Sequence, residues 1–202
     1  MKKISIIDYG MGNTRSLQAS ISHFGFNSII TADKKKINNS DLIILPGVGA
    51  FPKAMQLLKK KKLDILLNKK FKDGTKIIGI CLGMQLLFDS SREIKKTKGI
   101  GIIPGVVNEF KYGFNIGWNK IRGKNLDSLA GSLKSEKYYF IHTFKCVPKN
   151  KDVITSISNF KGEDFCSSVN FKKVYGFQFH PEKSGVKGLK IIKDILKKNI
   201  YV

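Results

Sequence analysis

A single cysteine stands between two glycines in Gly79-Ile80-Cys81-Leu82-Gly83-Met84, where an apolar run gives way to a helical pattern. Lys76-Ile77-Ile78-Gly79-Ile80 reads as a strand and Met84-Gln85-Leu86-Leu87-Phe88 as a helix. A strand that becomes a helix within so few residues must turn tightly, and the flanks of such a turn must be small. This is the pattern of a nucleophile elbow, where a strained turn presents a reactive side chain above a sheet. The turn aims the Leu82 amide at the place where an oxyanion would form. A buried structural cysteine on a tight turn would write the same letters, so the pattern needs support from elsewhere.

Support comes about a hundred residues later. Gly176-Phe177-Gln178-Phe179-His180-Pro181-Glu182 is a strand-like apolar run that ends in a histidine. A cysteine nucleophile needs a base, and the base needs a group to orient it. His180 can take the thiol proton of Cys81 and return it to a leaving amine. In extended chain, residues i and i+2 point the same way, so Glu182 shares a face with His180 and can hold its imidazole. Pro181 limits the backbone freedom of the pair.

GICLGMQ together with QFHPEKS resembles the class I, triad-type glutamine amidotransferases, whose triad is Cys-His-Glu. Leu45-Pro46-Gly47-Val48-Gly49-Ala50-Phe51 stands where that family usually has its oxyanion strand. This PGVG segment narrows the resemblance to the glutaminase subunits of imidazole glycerol phosphate synthase. So do Asp8-Tyr9-Gly10-Met11-Gly12-Asn13, Gly117-Trp118-Asn119 and Tyr139-Phe140-Ile141-His142-Thr143. Phe144 stands where tyrosine is more usual, and Phe114-Asn115-Ile116 replaces a commoner Pro-x-Met. Both departures leave the triad untouched and bear on the identity of the ammonia acceptor.

The resemblance implies a substrate, L-glutamine, and a set of roles. Cys81, His180 and Glu182 would be catalytic. Leu82, with the backbone near Val48 and Gly49, would form the oxyanion hole. Gln85, Glu93, His142, Thr143 and Phe144 would bind substrate, with Glu93 facing the α-amino group and 142–144 acting largely through backbone. Asn13, Trp118, Asn119, Tyr139 and Lys183 would form the partner interface or ammonia gate. The implied partner is a cyclase subunit of (β/α)8-barrel fold, in a heterodimer that keeps ammonia out of bulk water. Neither a cofactor nor a metal is expected. The free neighbours of Val48 suggest a peptide that can flip, with an oxyanion hole completed by the loaded partner. Two alternatives stand beside this reading. One is a paralogous glutaminase feeding a different synthase, such as one that amidinates a surface sugar. The other is a non-catalytic partner protein, which intact Cys81, His180 and Glu182 argue against.

At 202 residues the chain is expected to form one domain with a full core. Its net charge of +22 raises the question of nucleic acid. The 37 basic residues are nevertheless all lysine except Arg15, Arg92 and Arg122. Base readout and bidentate phosphate clamps favour arginine. The lysine clusters at 34–36, 59–62 and 69–70 read as solvated helix faces or loops. Neither nucleic acid nor membrane is therefore an expected partner. Ile4-Ser5-Ile6-Ile7 is too short for a signal-peptide core, no later run approaches a membrane span, and a cytoplasmic location is expected. Cys146 and Cys166, with Cys81, fit neither a disulfide framework nor a metal spacing.

Periodicity supplies the remaining elements. Strands are expected at 4–7, 28–31 and 41–45, and helices at 13–24 and 52–67, ahead of the elbow. This succession marks an open, mostly parallel sheet flanked by helices, an α/β fold. Strands expected at 106–110, 115–121, 138–147, 152–158, 164–170 and 174–179 give the second half an antiparallel portion. A lysine-rich amphipathic helix over 183–199 closes the chain.

Overall fold

A computed structural model describes residues 2–123 and 136–200. The first half runs β1 (Ile4–Ile7), α1 (Thr14–Ser22), β2 (Ser28–Thr31), α2 (Lys34–Asn38), β3 (Leu42–Leu45), α3 (Phe51–Lys60), α4 (Leu63–Lys72), β4 (Lys76–Ile80) and α5 (Leu82–Leu86). The second half is rich in strands. It holds β5 (Phe88–Ser91), β6 (Thr97–Lys98), β7 (Ile103–Glu109), β8 (Asn115–Gly123), β9 (Lys137–His142), β10 (Phe144–Pro148), β11 (Ile154–Phe160), β12 (Glu163–Phe171) and β13 (Val174–Phe177). Helix α6 (Gly185–Ile200) follows.

Nine strands form one sheet in the order β2-β1-β3-β4-β13-β12-β11-β8-β9. From β2 to β13 every pairing is parallel, and from β13 to β9 every pairing is antiparallel. The α/β class with its antiparallel portion is thus the observed architecture. The inner parallel strands β1, β3 and β4 are buried on both sides, as near-continuous apolar runs demand, while β2 at the edge is partly exposed. Ile43, Leu45 and Ile77 pack with α3, α4 and α5, while Ile44, Ile78 and Ile80 pack with α1 and α6.

A second sheet, β10-β7-β5-β6, packs into the core on the α3–α5 side. The sequence pattern shows no sign of it as a separate layer. The strand expected at 138–147 divides at Thr143: β9 is the edge of the large sheet and β10 an edge of the small one. Period-two alternation continues through such a crossing, so it does not mark where a chain changes sheets. Phe88 likewise belongs to β5 rather than to the helix after the elbow. The helix expected over 52–67 is two helices, parted where Lys62 turns left-handed at φ 54°. The cluster at 69–70 is also not uniformly solvated. Lys70 is buried and donates to the carbonyl of Asn38 at 2.7 Å, satisfying the exposed end of α2.

The topology already assembles a site. In open sheets the ligand crevice lies beyond the carboxyl ends of parallel strands. Strands β3, β4 and β13 are neighbours, in a register that pairs Leu45 with Gly79 and Phe177 with Ile80. Their carboxyl ends therefore deliver Pro46–Gly49, Cys81 and Gln178–His180 to one edge.

Candidate active site

Cys81 leaves β4 at φ 53° and ψ −113°, a conformation that side-chain-bearing residues avoid. Its amide donates to Phe177 O at 2.7 Å, which ties the turn to β13. Both flanking glycines are required by contact. A Cβ at Gly83 would lie 1.8 Å from Leu45 O, and one at Gly79 would lie 2.7 Å from the Met84 Cα. The backbone of α5 thus presses directly on β3 and β4, and the cysteine is held on the strained corner between them.

Around Cys81 is a cavity of about 540 Å³. Its walls gather most of the residues anticipated for the site: Val48, Gly49, Leu82, Gln85, Glu93, His142, Thr143, Phe144 and Lys183. Phe114 and Ile141 complete the lining. Thr143 is here because the crossing between the two sheets forms one wall. Glu93 is here because the small sheet carries it to the start of α3, where it accepts from the Phe51 amide at 2.8 Å. Burial raises its pKa, partly offset by that amide and reinforced by Glu109. Its carboxyl stands at the cavity wall, where it can accept from an ammonium group.

His180 and Glu182 lie behind the cysteine. His180 Nδ1 and Glu182 Oε1 are 2.8 Å apart, both side chains nearly fully buried. The pair does not arise from continued extension. His180 is extended, but Pro181–Lys183 is a single 3-10 turn, so Glu182 comes back against the ring through curvature rather than through strand alternation. Burial disfavours a charged ring here, but Cys81 and Glu182 beside it prevail and raise the His180 pKa to about 10. Nε2 is buried and has no partner at ordinary hydrogen-bond geometry among the described residues, and it is Cys81, as the nearby acceptor and negative charge, that together with Glu182 raises the ring's pKa. Ser184 fixes the base from below. Its hydroxyl donates to His180 O at 2.6 Å and accepts from the Tyr139 amide at 3.0 Å. The His180 amide in turn donates to Tyr139 O at 2.9 Å.

His142 is arranged in the opposite sense. Its Nδ1 lies 2.8 Å from Phe144 O, which can only accept, so Nδ1 carries the proton. Nε2 then accepts from Asn115 Nδ2 at 3.1 Å, and Asn115 Oδ1 accepts from Asn119 at 2.6 Å. Burial lowers the His142 pKa to about 4, opposed by the Phe144 carbonyl and helped by the charge of His180. The ring is neutral. Besides the backbone contacts expected of 142–144, the His142 side chain braces the cavity wall through Phe144 O and Asn115.

Of the remaining anticipated residues only Lys183 lines the cavity; Trp118, Asn119 and Tyr139 lie beyond it on β8 and β9. Trp118 pairs with Tyr139 across β8 and β9, their rings edge to face at 6.0 Å. Asn119 continues the same strand and Lys183 sits at the rim. Ile116 and Trp118 are 57% and 51% exposed, so this edge presents an apolar patch to solvent. Asn13 stands at the start of α1, does not cap it through its side chain, and does not line the cavity.

Three contributors escape sequence reasoning. Gln178 is fully buried and bonds both Cys81 and Gln85. Asn115 orients His142. The Tyr9 hydroxyl donates to Pro46 O at 3.1 Å and so pins the strand that carries Val48. Burial, with Cys81 adding, keeps that phenol protonated well beyond its ordinary range. The signal available for Gln178 and Asn115 was a polar residue between two apolar ones, and Tyr9 had none beyond its place in the Asp8–Asn13 segment.

Comparison with known proteins settles the family. Residues 5–199 match the model of the family described as glutamine amidotransferase class-I. The chain belongs to this family. Among relatives, it is 40% identical over 195 residues to "Imidazole glycerol phosphate synthase subunit HisH" of Bacillus cereus (strain ATCC 14579), covering 95% of this chain and 92% of that one. A chloroplastic "Imidazole glycerol phosphate synthase hisHF" of Arabidopsis thaliana is 38% identical over 200 residues, which are 96% of this chain and 34% of that longer protein. Among solved structures, PurLQS from Thermotoga maritima superposes with a TM-score of 0.77 at 21% identity, covering 98% of each chain. A glutamine amidotransferase, also from Thermotoga maritima, gives 0.66 at 15% identity, covering 99% of this chain and 84% of that one. These structures share the amidotransferase fold. No helix among the described residues is long and apolar enough to cross a membrane.

Proposed function

We propose that residues 1–202 form one glutamine amidotransferase domain, the glutaminase subunit of an imidazole glycerol phosphate synthase in histidine biosynthesis. The observation that carries the reading is the strained Cys81 beside the buried His180–Glu182 pair, in a cavity walled by Glu93. The Cys81 thiolate attacks the side-chain carboxamide carbon of L-glutamine, whose α-ammonium faces Glu93. The carbonyl electrons move to oxygen, held by the Leu82 amide and by backbone near Val48 and Gly49. His180, charged and steadied by Glu182, gives its proton to the departing nitrogen, and ammonia leaves a γ-glutamyl thioester. The neutral ring then takes a proton from water, whose oxygen attacks the thioester. Glutamate departs, and the thiolate and imidazolium are restored.

Ammonia is useful only while unprotonated, so it must pass to an acceptor without crossing bulk water. The patch of Phe114, Ile116 and Trp118, with Tyr139 and Ile141 opposite, adjoins the cavity mouth. In our reading a cyclase of (β/α)8-barrel fold docks there as the second half of a heterodimer, with Asn119, Lys183 and Asn13 at the contact or gate. The relatives' description as synthase subunits supports such a partner. Three free thiols suit a reducing compartment such as the cytoplasm. Gly49, at φ 97°, leaves the neighbouring peptide room to turn, so the oxyanion hole is completed when the loaded partner binds.

The test is glutamate release from glutamine by the purified chain, alone and with the cyclase partner and its nucleotide ligand. Release with the loaded partner supports the assignment. Equal release in both states would retain the glutaminase and remove the gate. No release in either state would refute the function.

A further inference from the structure

We propose that Gln178 is a positioning residue for this reaction, one carboxamide that holds the Cys81 sulfur as thiolate and sets Gln85 toward substrate. The inference rests on the reading of Cys81 as nucleophile. Its starting point is the direction of the hydrogen bonds. Phe144 O can only accept, so the Gln85 group facing it at 3.0 Å is the amide nitrogen. The same nitrogen reaches Gln178 at 3.1 Å, so Gln178 must present its oxygen there. The orientation of Gln178 follows. Its own Nε2 faces Cys81 Sγ at 3.8 Å. A backbone carbonyl two residues past His142 therefore determines, through two carboxamides, that a donor points at the sulfur.

The placement has chemical consequences at both ends. A thiol sulfur is a weak acceptor and a thiolate a strong one, so a donor fixed there favours the ionised form, against the Ile141 carbonyl, which lies at the same 3.8 Å and can accept from the thiol. Gln178 has no exposed surface, and its own amide is held by Ser167 O at 2.9 Å. The donor is thus kept in place before substrate arrives, in a setting where water competes little. At the other end, both contacts of the Gln85 nitrogen are used within the protein. The Gln85 carbonyl oxygen is left to meet a bound molecule, and Gln178 is one of the two groups that set this orientation. The network also explains an apparent conflict with strand patterning. Gln178 lies between Phe177 and Phe179, where an apolar residue would pack at least as well.

Two substitutions in the full-length chain separate the two tasks. Gln178→Met removes the donor to sulfur and the acceptor for Gln85. Gln178→Glu has the same shape and keeps the acceptor, but replaces the donor with an oxygen. The measurement is the rate of Cys81 alkylation by iodoacetamide as a function of pH, with the modified peptide identified by mass, alongside the KM for glutamine with the partner present. We expect both variants to move the alkylation midpoint up by about one pH unit, the scale of a charge-assisted contact. We expect KM to rise about tenfold in Gln178→Met and to stay within about threefold in Gln178→Glu, since only the first releases Gln85. A midpoint equal to that of the unsubstituted chain in Gln178→Glu overturns the proposal, whether or not Gln178→Met folds. If alkylation of Cys81 in the unsubstituted chain leaves glutamate release intact, the nucleophile assignment fails and the inference falls with it. If alkylation stops release while the variants keep the original midpoint, the inference alone fails.

Discussion

Two corners of the cavity each hold a buried histidine, and the corners have opposite chemistry. At the end of β13, His180 meets a carboxylate and a cysteine, and its pKa rises to about 10. At the crossing from β9 to β10, His142 meets a carbonyl and an amide, and its pKa falls to about 4. Burial pushes both rings toward neutrality. What differs is the partner. Glu182 and Cys81 supply negative charge, whereas Phe144 O and Asn115 supply only dipoles that fit a neutral ring of one tautomer. One histidine is thereby ready to move a proton, and the other is unable to take one near pH 7. Depth of burial alone would have assigned them the same role.

The largest effect that would break this contrast is on turnover. His180→Asn should lower glutamate release with partner present by roughly 10²–10⁴-fold, the range lost with a general acid–base group. His142→Asn, whose amide can still donate to Phe144 O, should stay within about tenfold. Comparable losses in the two variants would show that the corners are not distinct.

Next in size is the orienting carboxylate. Glu182→Gln should lower release by up to about 10⁴-fold, the scale of replacing the orienting acid behind a catalytic imidazole with its amide. It should also move the His180 ring titration, followed by NMR, downward from about 10. Cys81→Ala should shift the same titration downward while leaving that of His142 nearly fixed.

The contrast also predicts a stability profile with two limbs. His142 is protonated only in the unfolded chain between about pH 4 and its ordinary 6.5, so stability rises with pH across that interval. His180 is protonated only in the folded chain between 6.5 and about 10, but up to about pH 8.5 the thiol proton that Cys81 carries in the unfolded chain offsets it, so stability falls with pH between about 8.5 and 10. Each limb has a one-proton slope of about 1.4 kcal/mol per pH unit. Urea unfolding across pH should show the acid limb flattened in His142→Asn and the alkaline limb flattened in His180→Asn. The smallest effect expected is that of Asn115→Leu, which strips His142 Nε2 of its donor. A loss of about 1–2 kcal/mol in unfolding free energy, with release within a few-fold, is the expected outcome.

How much of this was legible in the sequence depended on whether the determining contacts were local. Gly79, Cys81 and Gly83 sit within five residues, and the elbow they form follows from steric demands inside that span. His180 and Glu182 were legible as a pair, although the 3-10 turn that joins them was not, because i and i+2 can meet through extension or through curvature. The parallel half was legible because strands buried on both faces leave unbroken apolar runs. The small sheet was not, because the change of sheet at Thr143 depends on what packs against β10 rather than on its own letters. Lys70 read as solvated because its partner, the Asn38 carbonyl, lies 32 residues away. Gln178 and Asn115 were hidden for the same reason, each defined by acceptors and donors that only folding brings near.

The hydroxyl of Ser184 joins a rim to a centre. Tyr139 lies on the edge strand paired with the one that carries the exposed patch, and its peptide groups are bound on both sides to the His180 segment, one directly and one through Ser184. A strand edge and an imidazole are thereby welded into one lever. No loop intervenes between the surface of β9 and the backbone that carries the ring, so whatever holds that edge in place also holds the proton donor.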